Sequence, residues 1–374
     1  MIKSAFLFFT LTFVVMLSSI SQSAELFQQG QATRCLAMGG TCVSHVRGVQ
    51  SLYFNPAALA RVEGFALTLA RVDVGTSKDT VDFSSNFQGS SFTASDVNQL
   101  YGKTLQADVN ARGGFVAPHF GFGVFSHNYT SMRFSDPTFP TFDMNFISDY
   151  GYIIGGALSL GANTSVGLSA RHIKRWGGAE SIAVSSIIGA SSSDLANNNF
   201  QNRGVGHGLD VALMTTLDGD WKPTLSLVWK DIGVTSFSQT TGTAPPPAQY
   251  DNLIFGASAH QSLGLLDLTH AFEYKYIRTT GYDLSQKIHL GTEASLGPLD
   301  LRAGFSQGYL SYGVGLDLWL FQLDAAAYTT EMGTYAGQSR NDKYNISLTI
   351  ELDFDQSFKL QNSEGKKRRL KQRR

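Results

Sequence analysis

The only two cysteines of the chain, Cys35 and Cys42, have six residues between them in "TRCLAMGGTCVSH". At that spacing they either close a small disulfide loop, where their Cα atoms come within reach, or remain two buried thiols. His45 offers a third donor for a metal, but the segment has no fourth, so no metal site is assigned. The eight histidines are scattered and form no cluster. No nucleophile stands beside a base in a pattern that would activate it, so a hydrolase has no motif to rest on. The expectation is a protein that is not an enzyme and uses no cofactor.

The remaining charged residues of interest, Glu273, Lys275, Glu293 and Glu351, all fall in stretches with a period of two. In "KYNISLTIELDF", Tyr344, Ile346, Leu348, Ile350, Leu352 and Phe354 alternate with Asn345, Ser347, Thr349, Glu351 and Asp353. "KIHLGTEASL" and "LLDLTHAFEYKY" repeat the pattern, which is that of strands with one apolar and one polar face. Such strands are predicted near 63–74, 109–118, 119–132, 143–160, 164–175, 205–217, 223–232, 249–262, 265–278, 285–296, 300–306, 309–319, 321–330 and 342–354.

The joints after the even-numbered strands are short, and those after the odd-numbered ones are mostly long, with 75–108, 176–204 and 233–248 the longest. A soluble sandwich has no reason to sort its loops by parity; a barrel does, with turns on one rim and loops on the other. The strands also approach the roughly 9–11 residues that a tilted membrane strand needs, against about 5–6 in soluble proteins. The fold class is therefore all-β, an antiparallel transmembrane β-barrel of about fourteen strands.

Lys3, the apolar run from Ala5 to Leu17 and the small residues Ser21 and Ser23 make 1–23 read as a secretory signal peptide. Its destination is then the outer membrane of a Gram-negative-type cell, with membrane lipid around the barrel at 63–354. A net charge of -1 and an exported chain argue against nucleic acid as a partner. Residues 355–374, ending in "KKRRLKQRR", read as a solvated basic tail on the periplasmic side.

Residues 24–62 precede the first strand and do not alternate. Gly39 and Gly40 permit close backbone approach, and Pro56 holds Asn55 extended, so the segment can fold inside a lumen. Taken alone, Asn55–Pro56–Ala57 reads as a rigid turn into the first strand. However, "ATRCLAMGGTCVSHVRGVQSLYFNPAALA" resembles the N-terminal hatch of the FadL-type outer-membrane channel clan, especially its PorV/PorQ-like branch. Arg34, Met38, Gly39, Gly40, Tyr53, Asn55, Pro56, Ala57 and Leu59 carry the likeness. The stretch Leu301 to Leu352, with Ala336, Gly337 and Gln338 ahead of Asp342 and Tyr344, resembles that branch's closing strands.

The resemblance implies a channel for hydrophobic small molecules of the long-chain fatty-acid type, with a hatch in the lumen. Gly39, Gly40, Tyr53, Phe54, Asn55, Pro56 and Ala57 would be its gate residues. The PorV-like alternative is an accessory barrel whose partner is a secreted protein. Phe83, Phe87, Phe92, Val97, Leu100 and Tyr101 in the first long loop either form an outer apolar groove for a ligand or pack that loop over the barrel mouth.

Overall fold

The computed structural model describes residues 30–86, 100–134, 141–183, 185, 200–318, 320–354 and 360–361. The first seven strands are β1 (Phe65–Ser77), β2 (Thr104–Ala117), β3 (Phe120–Phe134), β4 (Thr141–Ser159), β5 (Thr164–Ala183), β6 (Arg203–Thr216) and β7 (Thr224–Lys230). A short β8 (Phe237–Thr241) pairs only with the end of β6. Then come β9 (Asn252–Leu263), β10 (Leu266–Tyr274), β11 (Ile288–Leu296), β12 (Leu299–Ser306), β13 (Tyr309–Leu318), β14 (Phe321–Glu331) and β15 (Arg340–Phe354).

Each strand, β8 included, is antiparallel to the strands it pairs with, and β1 pairs with β15 from Phe65↔Phe354 to Ser77↔Lys343. That pairing closes a wall of fourteen strands and removes the free edges of the sheet. All fourteen strands expected from alternation are present, with shifted ends. The one expected over 265–278 stops at Tyr274, because Tyr276 takes a φ of 54° and turns the chain. The expected loop 233–248 contains β8. The first long loop opens with a helix, Lys78–Asn86, that the residue pattern does not announce; Ser77 Oγ accepts from Thr80 N at 3.3 Å at its start. The signal-peptide stretch lies outside the described residues, as does the basic tail apart from 360–361.

Burial is inverted relative to a soluble protein. On β15, Asn345, Ser347 and Thr349 are buried, while Ile346 is 62% exposed and Tyr344 and Leu348 more than a third. The same holds around the wall, with Val72, Val74, Tyr152, Ile154, Leu301 and Val314 outside. An apolar exterior around a polar, charged interior suits lipid outside and hydrogen-bonded filling within.

The interior has two unlike halves. From β2 to β9, Val116, Phe125, Ile153, Ile173, Val228 and Ile254 form an apolar wall. From β11 round to β2, the inward residues include Glu293, Arg302, Asp324, Arg71, Asp73 and Arg112, all buried.

Candidate functional site

Residues 30–62 lie against both halves. The segment folds as a short helix at Thr33–Ala37, another at Gln50–Phe54 and a 3-10 helix at Pro56–Arg61. Its apolar residues Val43, Val49, Leu52, Phe54 and Leu59 join one buried cluster with the apolar wall.

On the ionic side its anchor is a chain of ion pairs. Arg34 pairs with Glu293 at 2.6 Å, and Arg302 joins Glu293 (2.5 Å) to Asp324 (2.6 Å). Arg71 links Asp324 (3.8 Å) to Asp73 (3.0 Å), which also pairs with Arg112 at 3.0 Å. The Thr33 amide donates to Asp73 at 3.2 Å. The chain thus leaves the segment at Arg34, crosses strands β11, β12, β14 and β1, and returns to it at Thr33.

The next turn, at Met38–Val43, lies flat on the wall. Gly39 and Gly40 have φ of 66° and 82°, a region that a side chain disfavours. Side chains on Gly291 or Gly304 of the wall would collide with the Met38–Gly39 backbone. Gly39 N donates to Ser311 Oγ at 2.9 Å, Lys275 Nζ to Gly40 O at 2.6 Å, and His289 Nδ1 lies 2.7 Å from Gly39 O. Glu273 accepts from the Cys42 and Val43 amides. Cys35 and Cys42 are bonded to each other across this turn, with Cα atoms 5.4 Å apart.

Asn55 is fully buried and ties three parts together. Its Oδ1 accepts from Ala57 N at 3.0 Å, capping the 3-10 helix that Pro56 begins. Its Nδ2 donates to Val43 O at 2.6 Å and to Ser226 Oγ on β7 at 3.2 Å. Ser165 Oγ donates to Ala57 O at 2.9 Å. Tyr53 donates to Val124 O at 2.9 Å; burial raises its pKa, against the pull of Arg112, and keeps it a donor. Asn55→Ala removes a cap and leaves the Val43 carbonyl unpartnered, an expected loss of roughly 2–4 kcal/mol in seating the segment. The rate of proteolysis between residues 43 and 55 in the folded barrel measures it; an unchanged rate contradicts the role given to these bonds.

A cavity of about 340 Å³ is lined by Tyr53 and Phe54. Gly40, Cys35 and Cys42 line it, as do Phe125, Ile173, Arg112 and Lys230 of the wall and the 247–252 loop. Of the loop residues proposed for a groove, Phe83 and Leu100 are buried in a separate cluster with Phe134, Phe142 and Phe200. Tyr101 is exposed, with its ring 5.3 Å from that of Phe134. None of the three lines the cavity; Phe87, Phe92 and Val97 lie outside the described residues. Arg112, His127, Arg171, Arg175 and Lys230 line it and were missed from sequence. Their inward parity was the available signal, and it marks many structural residues equally.

His45 is buried with neither ring nitrogen hydrogen-bonded among the described residues. Burial, and then the charge of Arg34, lower its pKa to about 3, with Arg47 adding to the fall and Glu293 opposing it. The free segment has an ordinary imidazole, near 6.5. Between these values only the released form binds the proton, so the seated form loses stability as pH falls from 6.5 towards 3. At pH 5.5 the loss is about 1 kcal/mol. Proteolysis rates at pH 7.5 and 5.5 should therefore diverge in the native chain and converge in His45→Gln.

No family model and no curated protein matches this chain. Solved structures do. The toluene transporter TodX of P. putida aligns with a TM-score of 0.53 at 13% identity, over 88% of this chain and 100% of that one. The CymD monoaromatic hydrocarbon channel gives 0.52 at 11%, over 90% and 99%. A TodX variant, deltaS2S3, gives 0.51 at 13%, over 86% and 98%. The chain shares the fold of these barrels.

Proposed function

We propose that this protein is an outer-membrane channel for hydrophobic small molecules, and that residues 30–62 are its hatch. The carrying observation is the cavity of about 340 Å³ lined by Tyr53 and Phe54 of the internal segment. The shared fold supports the reading, since TodX is a toluene transporter and CymD a hydrocarbon channel. A ligand that enters between the loops reaches Tyr53 and Phe54. Onward passage then requires the segment to shift from its seats on Gly167, Ser165 and Ser226.

The test is uptake of radiolabelled toluene by cells carrying the barrel or lacking it. In a second pair, position 57 is tethered to position 165 by Ala57→Cys and Ser165→Cys. Uptake should depend on the barrel, fall at least about tenfold when the tether is oxidised, and return with reductant. Native protein given the same reductant controls for the Cys35–Cys42 bond. Barrel-independent uptake, with a secreted protein co-purifying, would overturn the channel in favour of an accessory barrel.

A further inference from the structure

The cations around this cavity are not equally matched. Arg175 is forked on Asp149 at 2.8 and 2.7 Å, and Arg171 reaches Asp210 and Asp231 at 2.8 and 2.7 Å. Arg112 is different. It stands directly opposite Arg71 across the β1–β2 pair, and the two share Asp73. Its Nη2 is taken by Asp73 and by Gln31 O, but Nε and Nη1 have no hydrogen-bond partner among the described residues, although the side chain is about 95% buried (5% exposed).

Lys230 is the second cation with donors to spare, Asp210 and Asp231 acting on it only from beyond 4 Å. Its Nζ donates to Tyr53 O at 2.9 Å and has no carboxylate within 4 Å among the described residues. Both cations lie by one ring: Arg112 Cζ is 5.7 Å and Lys230 Nζ 5.5 Å from the centroid of Phe54. Arg112 thus keeps two N–H groups and Lys230 part of its ammonium without an acceptor, and an anion between them would take up both. His127, lining the same cavity, also has an unpartnered, buried Nε2.

We propose that the cavity recognises a compact aromatic carboxylate, its anion received by Arg112 Nε and Nη1 and by Lys230 Nζ, and its ring lying on Phe54. This inference rests on the channel reading and names its substrate class. A ring is favoured over a long alkyl chain by the rest of the lining. Tyr53, Phe125, Tyr250 and Tyr276 also line the cavity, aromatic faces against which a flat ring packs in offset or edge-on contact.

The purified full chain in detergent is titrated calorimetrically with 4-ethylbenzoate, with 4-ethylnitrobenzene, a neutral molecule of the same shape, and with decanoate. The benzoate should bind at least about tenfold more tightly than the nitroarene, as expected for charge-assisted hydrogen bonds. Lys230→Met, which breaks no ion pair, should bring that ratio to about one; Arg112→Gln should do the same where it folds. Equal affinities in the native chain, or a ratio untouched by Lys230→Met, would overturn the anion site. Tighter binding of decanoate would overturn the aromatic part. Toluene uptake with no carboxylate preference sinks this inference and leaves the channel standing. Carboxylate preference without barrel-dependent uptake keeps the site and sinks the channel.

Discussion

Gly304→Val should lift the N-terminal segment off the wall while the barrel still forms. Valine suits a strand, and Gly304 already pairs with Gly291 and Ser311 in regular register, so the wall itself accepts the change. The conflict lies across the lumen, where the new Cβ meets the Met38–Gly39 peptide, a backbone that cannot rotate away. Relief requires the turn to rise, and it then loses the bonds from Ser311, Glu273, Lys275 and His289 together. With charge-assisted bonds among them, the seating loss is roughly 3 kcal/mol or more. The expected result is a folded barrel whose segment is cut by added protease and whose lumen leaks small solutes. Ala303→Val, one residue away and pointing out, is the control. A segment as resistant as the native one in Gly304→Val would show that the turn does not hold it.

The wall was legible because lipid and lumen impose opposite demands on alternate residues, as from Tyr344 to Phe354, and because turns and loops separate to opposite rims. The internal segment was legible for the converse reason: residues 32–60 break the alternation while staying apolar. The pairing of charges was not. Arg71, Arg112, Arg302 and Lys230 share the same inward parity, yet Arg302 is fully matched and Lys230 is not, and only closure of the barrel decides which acid each one reaches. The chain after β7 was equally opaque. Asp231 and Val234 adopt φ of 52° and 68°, conformations that their residue types do not advertise. That turn places Asp231 to receive Arg171, Thr235 and Gln249, which fixes one side of the cavity.

Arg302→Met should be the most destabilising single change in the ionic half. The guanidinium is fully enclosed, faces Glu293 directly across the β11–β12 pair, and crosses Gly315, whose missing side chain gives it room to reach Asp324. It also holds Asp300 at 2.6 Å. Along the chain, four arginines (34, 71, 112 and 302) meet four carboxylates (73, 293, 300 and 324), so the charges balance. Methionine has a similar length and no charge, so it leaves an excess negative charge that no water shell compensates. Breaking a buried pair in this way costs about 3–5 kcal/mol, read as a lowered denaturant midpoint in detergent. Because the excess charge is a carboxylate, protonation relieves it, and the deficit should shrink as the pH is lowered. Arg302→Met combined with Asp324→Asn restores neutrality and should recover most of the loss, whereas additive losses in the double variant would mean that the two side chains are not coupled. Since the same chain of charges ends on Thr33 and Arg34, the single variant should also free the segment to protease, and the compensated one should hold it again.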